Sequence, residues 1–280
     1  MQYIIGLVRP FGLGVMGVAL LLAITPVSAE EEARPLFVYC YSDSDLFPFH
    51  LNSEDRPAGE RSGIDIDLMR ELQARLPLRI EFRTRPWKRC LHGLRTGEVS
   101  GVIATHQKAR EKLGVYPRDA DGNVDPEGHV YIINYALYAR SGTDVRYDPG
   151  SGRIQNSTGL PVIGRLGFSV IRDLRRAGND VETVADSQLK NFLRLAKGRA
   201  GGVVALQNHG DYLLEKYPAT FSSVVRTRPA ISQKSGYLLI SHRFHEQYPQ
   251  LVERIWGMLR ILRDQKLKQL YDKYYASQTP

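Results

Sequence analysis

Gly63-Ile64-Asp65-Ile66-Asp67-Leu68 is the stretch on which the reading of this chain turns. Leu68, Leu72 and Leu76 recur every four residues, which puts them on one face of a helix. Asp65 stands where a short acidic side chain caps a first turn. Upstream, Leu36 to Cys40 is a short apolar strand, followed by a Ser/Asp-rich loop and Phe47-Pro48-Phe49. Strand, loop and helix therefore come in that order. Downstream, Leu78 to Arg83 is a second strand. Pro86 then opens a helix with Trp87, Cys90, Leu91 and Leu94 on its apolar face, stopped by Gly97, and Val99 to Ala104 is a third strand.

The alternation pauses and restarts. Residues Gly114 to Gly128 are rich in Asp, Gly and Pro, Tyr131 to Ala139 is a β-type run, and Arg140 to Gly159 reads as loop. Pro161 to Arg165 is then a strand, Phe168 to Ala177 a helix, and Val181 to Val184 a strand. A further helix carries Leu189, Phe192, Leu193 and Ala196, and Gly202 to Leu206 is a strand. Ser235 to Ser241 looks like a returning strand, and the chain ends in two amphipathic helices, one through Leu251 to Leu262 and one through Leu267 to Tyr274. Two similar α/β units with parallel sheets imply two lobes, not an all-β sandwich.

Residues 1–29 read as a secretion signal. Arg9 precedes an apolar segment broken by Pro10 and Pro26, too short for the roughly 20 residues that span a bilayer, and Val27-Ser28-Ala29 offers small residues for cleavage. The mature chain then carries 37 basic against 30 acidic groups, a balance of +7. Lys and Arg fall between acids, as in Arg110-Glu111-Lys112, and no basic stripe is interleaved with stacking aromatics, so a nucleic-acid partner is not expected. Cys40 and Cys90 sit in a compartment that permits disulfides; a bridge and two separate buried thiols both satisfy the pattern. His242 with His245 is a lone pair without a metal-ligand spacing, and no metal or cofactor is expected. Tyr41, Phe47, Phe49 and Trp87 lie beyond the carboxyl ends of strands, where α/β sheets bind ligands; Tyr41 and Trp87 are assigned to the cleft, Phe49 to the core.

The order of these motifs resembles the periplasmic solute-binding proteins of polar amino-acid ABC importers, the bacterial extracellular solute-binding protein family 3. Gly63 to Leu68 is similar to its Gly-aromatic-Asp-x-Asp-Leu, Trp87 to Gly97 to its tryptophan-to-glycine helix, and Tyr271-Asp272-Lys273-Tyr274 to its terminal Asp-Lys-Tyr. Pro86-Trp87-Lys88-Arg89-Cys90-Leu91 resembles a divergent subgroup. The resemblance implies a two-lobed periplasmic-binding-protein type II fold, each lobe a mixed, mostly parallel sheet flanked by helices, with two hinge crossings. Lobe one would be 30–138 plus 233–280 and lobe two 139–232.

It also implies roles. Arg110 takes the place of the arginine that holds a ligand carboxylate, for which a planar guanidinium fork is suited. Gln107 stands where the family has Thr. Gly164-Arg165-Leu166-Gly167-Phe168-Ser169 matches a strand-turn-helix segment whose helix amino terminus faces the ligand anion, with Gly167, Phe168 and Ser169 as the contacts. Where amino-acid binders carry an Asp for the α-ammonium, this chain has Leu206-Gln207. An ammonium left unpaired in a closed cleft costs at least about 1–3 kcal/mol, so an ordinary α-amino acid is disfavoured unless Asp43, Asp45 or Asp211 substitutes. The expected function is capture of a small polar or anionic solute, amino-acid-like or an organic acid, by a periplasmic monomer that delivers it to an ABC permease. The alternatives are an enzyme of cyclohexadienyl-dehydratase type, for which Glu54, Asp43 and Asp45 are the candidate acids, and a ligand-sensing partner of a membrane receptor.

Overall fold

Three parallel strands open the fold because helical crossovers separate them in sequence. In the computed structural model, which describes residues 1–2, 34–52, 62–157, 159–185 and 187–276, β1 (Leu36–Ser42) lies between β2 (Arg79–Arg85) and β3 (Gly101–Thr105). The body of the secretion signal, its cleavage site and Glu54 lie outside the described residues. The crossovers are α1 (Ile64–Arg75) and α2 (Trp87–Thr96). Ile64, Ile66, Leu68, Met69 and Leu72 bury the inner face of α1. The helix is entered through Gly63 at φ 126°, where a Cβ would lie 2.3 Å from the Phe49 carbonyl oxygen, a backbone and a contact that only glycine accepts. Gly97 ends α2 in the left-handed conformation, at φ 76°.

β4 (Tyr131–Arg140) and β11 (Ser232–Ile240) run antiparallel and are the two crossings. β11 pairs with β4 over its first half and with β3 over its second, Gly236 being the shared position. On the far side, β9 (Gly202–Leu206), β7 (Val162–Arg165) and β8 (Val181–Ala185) form a second parallel group, linked by α3 (Ser169–Arg176) and α4 (Gln188–Ala196). The order is β2-β1-β3-β11-β4-β9-β7-β8, with β10 (Val224–Arg226) on β4. This is the expected two-lobed type II architecture, each lobe a mostly parallel sheet flanked by helices.

The structure departs from the sequence reading at several places. Residues 140–159 are not wholly loop: β5 (Arg146–Asp148) and β6 (Arg153–Gln155) form a short hairpin. α5 (Gln207–Lys216), not anticipated, follows β9 directly. After the short α6 (His242–Gln247), the two expected terminal helices are one, α7 (Pro249–Ala276). No Gly or Pro interrupts residues 258–276, so nothing ends the helix at their midpoint. Asp65 does not cap α1: its carboxylate accepts hydrogen bonds from the buried hydroxyls of Tyr39 at 3.1 Å and Tyr131 at 2.8 Å.

α7 packs on α1 and closes the chain on its opening motif. The Tyr274 hydroxyl accepts from the Gly63 N–H at 2.8 Å and donates to Asp67 at 2.8 Å, and Lys273 pairs with the same carboxylate at 2.7 Å. The Gly63-to-Leu68 and Asp-Lys-Tyr motifs, some 200 residues apart, are thus two halves of one polar joint. Among the described residues no helix is long and apolar enough to cross a membrane.

Candidate functional site

Strands of both parallel groups end at one partly open cavity. Ser42 closes β1, Thr105 closes β3, Arg165 closes β7 and Leu206 closes β9, and all four line it. Ligand crevices of α/β sheets form at such carboxyl ends. Alternate residues of β4, Tyr131, Ile133 and Tyr135, supply a wall, because a strand turns every second side chain to the same face. The cavity measures about 70 Å³, space for roughly five waters at about 10–15 Å³ each. Its lining is mainly apolar, with a few polar side chains among aromatic and aliphatic ones.

Arg110 ends a 3₁₀ turn (Lys108–Arg110) just beyond β3 and is buried, with 7 % of its surface exposed. Nη1 donates to the Thr105 carbonyl at 2.8 Å and to the Thr105 hydroxyl at 3.0 Å, and Nη2 reaches the Gly167 carbonyl at 3.0 Å. Its guanidinium carbon lies 5.9 Å from the centre of the Trp87 ring. Every one of these acceptors is neutral, and among the described residues no carboxylate pairs with Arg110. Burial pushes the guanidinium down from its ordinary range, yet an arginine keeps its charge in proteins. A buried cation with no carboxylate paired to it calls for an anion from outside.

Arg165, equally buried, donates to the Ser42 hydroxyl and lies 5.5 Å from the Phe168 ring centre. Phe168 meets Tyr135 edge-on at 5.7 Å. Burial holds the Tyr135 hydroxyl above its ordinary pKa, as it does those of Tyr39 and Tyr131, where the Asp65 charge adds to the effect.

Of the residues assigned to the site from sequence, Arg110, Trp87, Gly167, Phe168 and Ser169 line the cavity and Gln107, Tyr41 and Gln207 do not. Gln107 lies in an outer groove with Lys88 and Arg172. Tyr41 is buried against Tyr39, ring centres 6.0 Å apart. Gln207 opens α5 and its carbonyl accepts from Tyr138 at 3.0 Å; the wall is made by its neighbour Leu206. Phe49, assigned to the core, both stacks on Tyr131 at 4.3 Å and lines the cavity. Phe47 instead stacks on Tyr212 at 4.4 Å. Asp43 and Asp45 are not on the wall, and Asp211 is engaged by Tyr138 and Arg226.

Ser42, His50, Asp65, Thr105, Tyr131, Tyr135 and Arg165 were not picked out as site residues from sequence. The strand-end rule would have found Ser42, Thr105 and Arg165. A disulfide joins Cys40 of β1 to Cys90 of α2, Cα atoms 5.6 Å apart, and so fixes the helix that carries Trp87. Among the described residues no cluster of three or more His, Cys, Asp or Glu could hold a metal ion.

The sequence profile of the bacterial extracellular solute-binding proteins, family 3, matches residues 38–277. The chain belongs to this family. No curated protein matches it. Among solved structures, this solute-binding chain is similar to an ancestral arginine-binding protein bound to arginine, at 20 % identity and TM-score 0.66, over 88 % of this chain and 99 % of that one. It is similar to a substrate-binding protein of an ABC uptake transporter from Streptococcus pneumoniae with bound histidine, at 13 % identity and TM-score 0.67, over 86 % and 92 %. A histidine kinase sensor domain with similarity to periplasmic binding proteins matches at 18 % identity and TM-score 0.66, over 89 % and 97 %. At these identities the likeness is one of fold.

Proposed function

We infer that the chain is a periplasmic binding protein for a compact organic anion, closed over its ligand by two lobes and serving an ABC importer. The observation that carries this reading is the buried Arg110 guanidinium, held only by neutral acceptors at the edge of the strand-end cavity. A solute carboxylate would take the remaining Arg110 N–H donors, in a buried site where a charged pair is stronger than at the surface. The apolar remainder of the wall suits a short aliphatic or aromatic body.

On this reading lobe one comprises 30–138 and 233–280, lobe two 139–232, and motion about β4 and β11 admits the ligand. The signal over 1–29 would direct the chain to the periplasm. Leu206 argues against the arginine or histidine bound by the structural neighbours, since no carboxylate stands at that strand end to meet an α-ammonium. A dehydratase is less well supported: the one carboxylate on the cavity wall among the described residues, Asp65, already accepts from Tyr39 and Tyr131. A sensing role would use the same ligand chemistry with a receptor as partner.

Calorimetric titration with a panel of small carboxylates, their amides and matched amines tests the reading. Binding confined to the carboxylates supports it, and a preference for amines or amides defeats it.

A further inference from the structure

His50 is the residue of this cavity that neither the fold nor the carboxylate clamp accounts for. It lies just after the cis Phe47-Pro48 turn, 5 % exposed, and lines the cavity. Its Nδ1 faces Asp65 Oδ2 at 3.4 Å, while the Tyr39 and Tyr131 hydroxyls donate to the same carboxylate. An ionised carboxylate only accepts hydrogen bonds, so the ring nitrogen turned toward it is the one that carries the proton. In the neutral imidazole Nε2 then holds a lone pair. That atom is buried and has no partner among the described residues.

Buried polar atoms are normally satisfied, and one left without a partner on a residue that lines a cavity points to whatever fills the cavity. The cavity is small enough that one solute would touch both His50 and Arg110. On the lobe-two side, the buried Ser169 hydroxyl beside Tyr135 also lacks a well-formed hydrogen bond.

We propose that Nε2 of His50 accepts a hydrogen bond from a hydroxyl on the same carboxylate-bearing solute that Arg110 holds, so that the ligand class is compact hydroxy acids with an apolar body. This rests on the anion-binding reading above and sharpens it. Asp65 acts through the ring: its hydrogen bonds set which nitrogen is protonated and hold the imidazole in place. A hydroxyl is favoured over an ammonium because Leu206 stands at its strand end and the one carboxylate on the wall among the described residues, Asp65, already accepts from Tyr39 and Tyr131.

The experiment compares three matched solutes, 2-hydroxy-4-methylpentanoate, 4-methylpentanoate and leucine, by calorimetry at pH 8, above the ordinary range of imidazole. The hydroxy acid should bind about tenfold more tightly than the unsubstituted acid, and more tightly than leucine. His50→Phe should erase the difference between the two acids. Because a buried residue is replaced, ¹⁵N spectra of the wild-type histidines supply a measurement free of variants: Nε2 of His50 should be unprotonated in the free protein and shift when the hydroxy acid is added. Equal binding of the two acids by wild type, a preference for leucine, or an undiminished preference in His50→Phe overturns the proposal while leaving Arg110 its role. If none of the three binds and no other carboxylate does, the anion-binding reading itself falls.

Discussion

Trp87 covers Gly167 so closely that a Cβ at position 167 would lie 2.6 Å from the indole Cδ1. The contact joins the start of α2 to the turn before α3, and the same glycine offers its carbonyl to Arg110. Its φ of 87° lies in the left-handed region, where a side chain costs about 1–2 kcal/mol. One residue is thus held in place by the indole, by the guanidinium and by its own backbone.

Gly167→Ala should therefore disfavour the closed arrangement more than the fold. Ligand affinity should drop by about tenfold or more, with a cooperative unfolding transition retained, and X-ray scattering should show a larger radius of gyration at the same ligand concentration. Wild-type affinity in this variant would mean that the Trp87 contact plays no part in closure.

Leu206 marks the difference from a site that takes an α-ammonium. Leu206→Asp places a carboxylate on the cavity wall, where it would compete for the buried guanidinium groups. Titration should show weaker binding of simple acids and a gain for α-amino acids, with the ratio between the two classes moving by tenfold or more. An unchanged ratio would show that this strand end does not face the ligand.

His209 ties the loop after β1 to α5, its Nδ1 accepting the Phe47 N–H at 2.8 Å. Complete burial lowers its pKa to about 3, helped by the positive field of Arg165 and by His50 and Lys216. The folded value lies below the ordinary value near 6.5, so the fold favours the neutral ring. Its contribution is complete above pH 6.5 and is lost as pH falls toward 3, at up to about 1.4 kcal/mol for each unit. Protonation also removes the acceptor for Phe47. Urea unfolding between pH 4 and 8 should show this acid loss, and His209→Gln should flatten it; an identical slope in the variant would contradict the assignment.

The Cys40–Cys90 bridge closes a loop of 50 residues of sequence separation. In the chain-entropy view such a crosslink is worth about 2–4 kcal/mol. The Cys40→Ala/Cys90→Ala double variant should lose that much in a denaturant titration. It should also bind ligand less tightly, because α2 carries Trp87. A midpoint equal to that of the oxidised protein would contradict this.

What could be read from sequence and what could not divide along a physical line. Helix α1 was legible because Leu68, Leu72 and Leu76 keep a helical period, and α2 because Pro86 and Gly97 punctuate it. The 146–155 hairpin was missed because three-residue strands carry no period to count. α7 is one helix where two are expected, because no Gly or Pro breaks residues 258–276. In the site, Arg110 was found by its place in a motif, whereas Arg165 looked like any charged residue at the end of a strand. His50 escaped notice and Asp65 reads as a helix cap because their burial together is a product of tertiary packing, with Tyr39 and Tyr131 brought from two strands.

The central claim, that Arg110 holds an anion between two lobes, is tested most directly by mass spectrometry of the small molecule released on denaturing wild-type protein and Arg110→Ala in parallel. An organic acid released from wild type and absent from a folded Arg110→Ala is the predicted result. A neutral or cationic compound, or the same acid in equal amount from both proteins, would contradict it.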